Sequence, residues 1–500
     1  MSKKPKKRKS LKALKKRLKT AKISAKASIV ILIIAVSFLA AALWIIKWPR
    51  SASRSAISGG TSEEEEESVI EILKIYSEEH PEREIAYWEG EDGLYVNVST
   101  LNAYYMEDEL FFDTNEGKIF HTTLAKGKQV LDLGEYPTQD IMGELYIRLD
   151  EAAELFSFTV EEVSDLEIRL HAKEREEEPE PELPAEYPEA PIVLSWYQDY
   201  SSLFNEEKTA SAQRSEGVAN VWSPTWYTLD EEGQIQSYVN EEWVTFAHDH
   251  GCQVWALVGN EGYNERALKA IQTEEGRDQL IQYLVEQYET LGLDGFNIDF
   301  ETLSKETAPY YVEFVREAAA VLRPMGCILS IDVSPPQAWS YYYRRDLLAR
   351  AVDYSIVMAY DEHYGGGEAG SVSSMEFTKL AIMSMLEMTD SDHLILGIPF
   401  YTRIWYVEES GETTSEAWSM NKVETYLEEN KLKPEYDSVT GQDYVSRTVD
   451  GVLEEIWIEN EKSIRQRAAM AKEYQLAGVG CWKSGLEKED TWTWIQEELK

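Results

Sequence analysis

A chain of 500 residues exceeds one ordinary domain and leaves room for a large core with accessory parts. Its 91 acidic against 49 basic residues give a formal charge of −42, which repels phosphate backbones and argues against a nucleic-acid partner. Three cysteines, Cys252, Cys327 and Cys481, each lie beside an apolar run, so they read as buried thiols rather than a disulfide framework. No spacing fits a zinc or other metal site, and none calls for a cofactor.

In chain order, residues 1–27 form a basic tail with thirteen Lys and Arg and no acid. Residues 28–46, Ser28 to Ile46, are uncharged and apolar, long enough at about 1.5 Å per residue to span a bilayer as one transmembrane helix. Trp44 and Trp48 would stand at the interface, and the positive-inside rule puts the amino terminus in the cytoplasm and the rest outside the cell membrane. Ala40 to Ala42 could mimic a signal-peptide cleavage site, but the apolar run continues to Ile46 and favours an uncleaved anchor.

Residues 47–67 read as an acidic linker ending in Glu63 to Glu67, which repels itself and extends. Residues 68–171 are the size of a small domain with a weak internal repeat. Leu94-Tyr-Val-Asn-Val-Ser99 and Leu145-Tyr-Ile-Arg-Leu-Asp150 share a pattern, each an alternating strand followed by a helical stretch and another strand. This α+β repeat resembles the copper amine oxidase N-terminal-like domain, which implies a stalk, acting as a spacer or wall-binding element. His80 and His121 are too scattered for a copper cluster. Residues 172–189, rich in Glu and Pro, read as a stiff extended spacer.

From 190 to 500 short apolar runs alternate with longer amphipathic stretches, as repeated βα units do. Strands are predicted at Ile192–Trp196, Val218–Trp222, Gln253–Val258, Gly295–Glu301, Ile328–Val333, Tyr354–Tyr360, Leu394–Pro399 and Gly478–Trp482. Eight of them fit an α/β (β/α)8 TIM barrel, whose chemistry sits at the carboxyl ends of the strands. A helix over Arg277–Leu291 follows from Leu280, Ile281, Leu284 and Tyr288 at helical spacing.

The fourth run carries the chemistry. In Gly295-Phe-Asn-Ile-Asp-Phe-Glu301, period two sends Phe296, Ile298 and Phe300 to one face and Asn297, Asp299 and Glu301 to the other. A strand built only for folding would not bury three polar groups, at a cost on the order of 2–7 kcal/mol for each unpaired neutral one. Asp294 to Glu301 resembles the catalytic signature of glycoside hydrolase family 18. Met358-Ala-Tyr-Asp361, Gly397-Ile-Pro-Phe-Tyr-Thr-Arg403 and Trp482 resemble further family motifs in the expected order. Asn297 stands where the family usually has Asp, which resembles the spore-cortex-lytic, germination-type branch of N-acetylglucosaminidases.

The resemblance implies a retaining, substrate-assisted mechanism in which the sugar's acetamido group is the nucleophile. Glu301 would be the acid and base, Asp299 the partner of the acetamido nitrogen, and Tyr360 and Asp361 further catalytic groups. Asn297, Met358, Trp482, Tyr401, Arg403 and Trp226 would bind substrate, a glycan containing N-acetylglucosamine such as peptidoglycan. With an amide at 297 the repulsion between two carboxylates is expected to vanish, leaving Asp299 ionised to lower pH. A non-hydrolytic chitin- or peptidoglycan-binding barrel, lectin-like, and a purely structural surface protein are the alternatives, since fold does not fix function.

Overall fold

A computed structural model describes residues 70–77, 83–105, 110–155, 158–164, 167–172 and 183–500. The basic tail, the predicted membrane span and the acidic linker lie outside the described residues. Among the described residues no helix is long and apolar enough to cross a membrane.

The segment Ser68–Lys500 is one compact unit that holds two sheet systems. Toward its start, a seven-stranded sheet is joined to a three-stranded antiparallel one, Leu110–Asp113, Lys118–Thr123 and Gly127–Asp132. The two repeat strands, Gly93–Asn97 and Glu144–Arg148, are each followed by a short helix, Val98–Tyr105 and Leu149–Leu155. They pair antiparallel with Val96 opposite Ile147, so the helices Val98–Tyr105 and Leu149–Leu155 supply Val98, Leu101, Leu149 and Ala152 to one shared core.

The second system is the predicted barrel. Its strands are β1 (Ile192–Tyr197), β2 (Val221–Pro224), β3 (Gln253–Gly259), β4 (Gly295–Asp299), β5 (Ile328–Val333), β6 (Tyr354–Met358), β7 (Leu394–Pro399) and β8 (Gly478–Trp482). All neighbours are parallel, and β1 pairs with both β2 and β8, which closes the cylinder. Three strands differ from expectation by two residues or more. β2 starts three residues later because Val218 and Ala219 still bond back to Ser215 in a turn. β4 and β6 end at Asp299 and Met358, so Glu301, Tyr360 and Asp361 stand just beyond the strand ends.

Phe296, Ile298 and Phe300 face the layer between strands and helices, packed with Val312, Val315 and Ala318 of the helix Ala308–Leu322, as their alternation predicts. The barrel interior is a separate cluster that includes Leu194, Trp196, Trp255, Leu257 and Ile356. The predicted helix runs Glu274–Leu291. It starts where the Thr273 hydroxyl accepts from the Gly276 amide and stops at Gly292, whose φ of 67° is the left-handed conformation that glycine adopts without steric cost.

Between β7 and β8 the chain makes an addition that the strand reading missed: a five-stranded antiparallel sheet and a helix spanning Tyr401–Ile458. Tyr401–Val407 is its own strand, so Tyr401 and Arg403 belong to this sheet and not to a prolonged β7. The Glu/Pro-rich stretch does not hold the small sheet away from the barrel either. The three-stranded sheet lies on the barrel's outer helices, with Phe111 of the strand Leu110–Asp113 edge-on to Tyr310 at 5.2 Å and the Thr122 hydroxyl of the hairpin Lys118–Asp132 donating to Glu313 at 2.6 Å.

Candidate active site

β4 aims Asn297 and Asp299 into the barrel mouth. Asn297 is fully buried. Its carbonyl oxygen accepts from Trp196 Nε1 at 2.9 Å and Ser223 Oγ at 3.2 Å, and its Nδ2 donates to Asp332 Oδ1 at 3.0 Å. Both ends of the amide are thus engaged by protein, and Asn297 is a bracket beneath the site. Trp196 reaches the barrel axis because β8 carries Gly480, where a Cβ would lie 2.8 Å from its ring.

Asp332, on β5, was not singled out from sequence, and it alters the electrostatics. Burial raises its carboxyl above the usual range, and Glu301 raises it further. Asp299 is raised by burial first, then by Glu301 and Asp332. Glu301 is raised by burial and by Asp361, although its tip stays open to solvent at the cleft. Asp332 supplies from the next strand a second carboxylate beside Asp299 although position 297 carries an amide, so Asp299 still lies above its usual range. Three neighbouring acids with upward shifts hold a proton among them rather than ionising together. Oδ1 of Asp299 is buried and has no hydrogen-bond partner among the described residues.

The segment after β4 is held tightly. Asn260, just past β3, clasps the Glu301 backbone from both sides, accepting from its N–H and donating to its carbonyl, each at 2.9 Å. Thr302 adopts φ of 57°, an outlier for a β-branched residue that costs about 1–3 kcal/mol. The neighbouring amides compensate, Leu303 N–H donating to Tyr343 Oη at 2.6 Å and Ser304 N–H to Asn264 Oδ1 at 2.7 Å. Glu301 therefore stands on a fixed backbone. Asn260 was also missed; its signal was an uncharged amide directly after an apolar strand.

Beyond β6, Tyr360 is buried, and burial with Asp332, Asp299 and Glu301 pushes its phenol up, so it stays a hydrogen-bond donor. Asp361, with φ of 55°, accepts from Tyr401 Oη at 2.5 Å and lies 3.7 Å from Arg403 Nη2. The added sheet thereby brings two predicted residues onto a third. Met358 and Trp482 are half-buried. The Trp482 ring meets Trp196 edge-on at 5.8 Å, which leaves an indole at the interior end of β8. Trp226 is 3% exposed and packs within the core cluster.

The site is thus a closed barrel with an open acid above two buried ones, a phenol donor and an indole floor. The profile of the Glycosyl hydrolases family 18 matches residues 219–487. Uncharacterized glycosylase YvbX of Bacillus subtilis is 25% identical over 298 residues, 56% of this chain and 85% of the relative. The cortical fragment-lytic enzyme of B. subtilis is 23% identical over 48% of this chain, which spans 58% of that relative's length. The crystal structure of the Bacillus megaterium spore cortex-lytic enzyme SleL superposes with a TM-score of 0.56 at 17% identity, covering 62% of this chain and 74% of that one. That likeness is one of fold.

Proposed function

The chain belongs to glycosyl hydrolases family 18 and is a glycoside hydrolase, and from that premise we propose that it cleaves β-linked glycans whose reacting sugar carries an N-acetyl group, with peptidoglycan as its substrate. The observation that carries this reading is Asp299 Oδ1, a buried acceptor without a donor among the described residues. A buried carboxylate oxygen calls for a donor, and the N–H of a substrate acetamido group is one.

Glu301, whose carboxyl burial and Asp361 raise above its usual range, gives its proton to the glycosidic oxygen as the bond to the anomeric carbon breaks. The acetamido carbonyl oxygen attacks that carbon and closes an oxazolinium ring while Asp299 accepts its N–H. Glu301, now a carboxylate, takes a proton from water, whose oxygen attacks the same carbon and reopens the ring with net retention. Tyr360 donates to the acetamido carbonyl, Asp361 with Tyr401 and Arg403 holds ring hydroxyls, and Trp482 floors the sugar. The basic tail and apolar run of residues 1–46 anchor the enzyme in the cell membrane with the barrel outside, and the small repeat domain stands between them.

Release of reducing ends from purified peptidoglycan, compared with the same material chemically de-N-acetylated, tests this reading. Cleavage is expected only of the N-acetylated form, and Glu301→Gln is expected to lower it by about 10²–10⁴-fold. Equal turnover of both substrates would overturn the substrate-assisted mechanism.

A further inference from the structure

Where the hairpin Lys118–Asp132 meets the outside of the barrel, it encloses a cavity of about 110 Å³. On that measure one water needs about 10–15 Å³, so the space takes a group of several heavy atoms. Its walls come from three directions: Thr122 and Leu124 of the hairpin, Arg316 of the helix Ala308–Leu322 with Arg323 just past its end, and Arg350 of the helix Arg345–Ala351. Three arginines and no carboxylate line it, in a chain with 91 acids to 49 bases.

Two of the guanidinium groups are held in place from behind. Arg323 donates to Asp353 Oδ1 at 3.0 and 3.2 Å and to the Ala351 carbonyl at 3.0 Å, leaving N–H groups to spare. Arg316 lies 4.0 Å from Glu313. Arg350 is exposed and makes no close ion pair among the described residues. Preorganised guanidinium groups on separate walls suit an anion that accepts from several sides. A tetrahedral phosphate does so, whereas a planar carboxylate presents its oxygens in one plane.

We propose that this cavity between the small repeat domain and the barrel is a binding site for a phosphate group, free or as an ester on a larger molecule, and that its occupancy strengthens the contact between the two parts. The site lies on the outer helices, away from the barrel mouth, and does not depend on the catalytic reading.

Thermal unfolding of the full-length protein, followed during titration with inorganic phosphate at constant ionic strength, tests it. A saturable rise in Tm is expected, with apparent Kd weakened about tenfold or more in Arg350→Gln. Arg350 is exposed, so the variant's Tm without phosphate should match the parent's. Dimethyl phosphate as a parallel titrant separates the sources: binding of both anions supports a site that takes diesters, binding of inorganic phosphate alone supports one for the free ion. Absence of saturation, or an equal response in Arg350→Gln, would overturn the proposal. So would an equal saturable response to acetate, which would make the cavity a carboxylate site.

Discussion

Two places in this molecule bury carboxylates beside one another, and they are built in opposite ways. On the barrel's outer face, Glu313 and Glu317 sit with Arg277, whose Nε donates to Glu317 at 2.9 Å, while Lys128 of the docked hairpin reaches Glu317 at 3.4 Å. Burial raises both acids, but cations pull them back, Arg316 first and then Arg277 and Lys128 for Glu313, Arg277 and Lys128 for Glu317. At the barrel mouth, on top of burial, Glu301 raises both Asp299 and Asp332, Asp332 raises Asp299, and Asp361 raises Glu301, and no Lys or Arg forms an ion pair with Asp299, Asp332 or Glu301 among the described residues. Cations turn the first cluster into a fastening; their absence leaves the second with protons to give and acceptors to fill, which is what acid catalysis on a sugar needs. Sequence cannot tell these clusters apart, because each acid's meaning is set by the cation that folding does or does not bring to it.

The comparison breaks most visibly at Arg277. It is fully buried, spans Glu317 and the Ile271 carbonyl, and lies 4.7 Å over the Phe120 ring of the hairpin. Arg277→Met keeps the volume but leaves Glu313 and Glu317 short of a counter-charge. Removing one partner of a buried pair costs about 3–5 kcal/mol. Unfolding in urea should show that loss. The rate on glycan should stay within about twofold, since nothing in this cluster faces the barrel mouth. A large drop in kcat at unchanged stability would mean the two clusters are not separate devices.

Asp299→Asn sharpens the same contrast from the other side. A raised carboxyl pKa means that the native state binds the proton more tightly than the unfolded chain, whose Asp titrates near 3.9. Stability then falls as pH climbs from that value through the raised one, and at neutral pH the group is a net cost. Replacing it with the amide is therefore expected to raise Tm by about 2–4 °C at pH 7–8, with the gain vanishing below pH 4. Activity should fall by about 10²-fold or more. A variant less stable at neutral pH would show that Asp299 is compensated in the native state and is not poised for a substrate donor.

Much of this was readable along the chain. Period two placed Asn297, Asp299 and Glu301 on the face opposite three apolar residues, and eight apolar runs marked the barrel strands, because both are local repeats. Asp332 was not legible: one acid in Ile-Leu-Ser-Ile-Asp-Val carries no mark until β5 lies beside β4 and the Asn297 amide meets it. The sheet after β7 was missed because its strands read as irregular connection, and only closure onto Asp361 gives Tyr401 and Arg403 their place. The docked hairpin had no local signal at all. Thr122 and Glu313 are 191 residues apart, and the proline-rich stretch between them suggested separation.

The finest probe of the mouth cluster is Asn297→Asp, which restores a carboxylate where the amide now brackets the barrel. Trp196 and Ser223 would still donate to the new side chain, so the change costs little in packing. What it removes is the N–H that favours ionised Asp332, and what it adds is another negative charge beside acids already shifted upward. Both act in one direction, toward a cluster that holds its proton to higher pH. The acid limb of the kcat/KM profile is expected to move up by about one unit, and thermal stability should decline more steeply than the parent's between pH 5 and 8, because the added carboxyl also titrates above its unfolded value. If the limb stays where it is, Asp332 and Asp299 do not share a proton, and the amide at 297 matters only for the hydrogen bonds it makes to its neighbours.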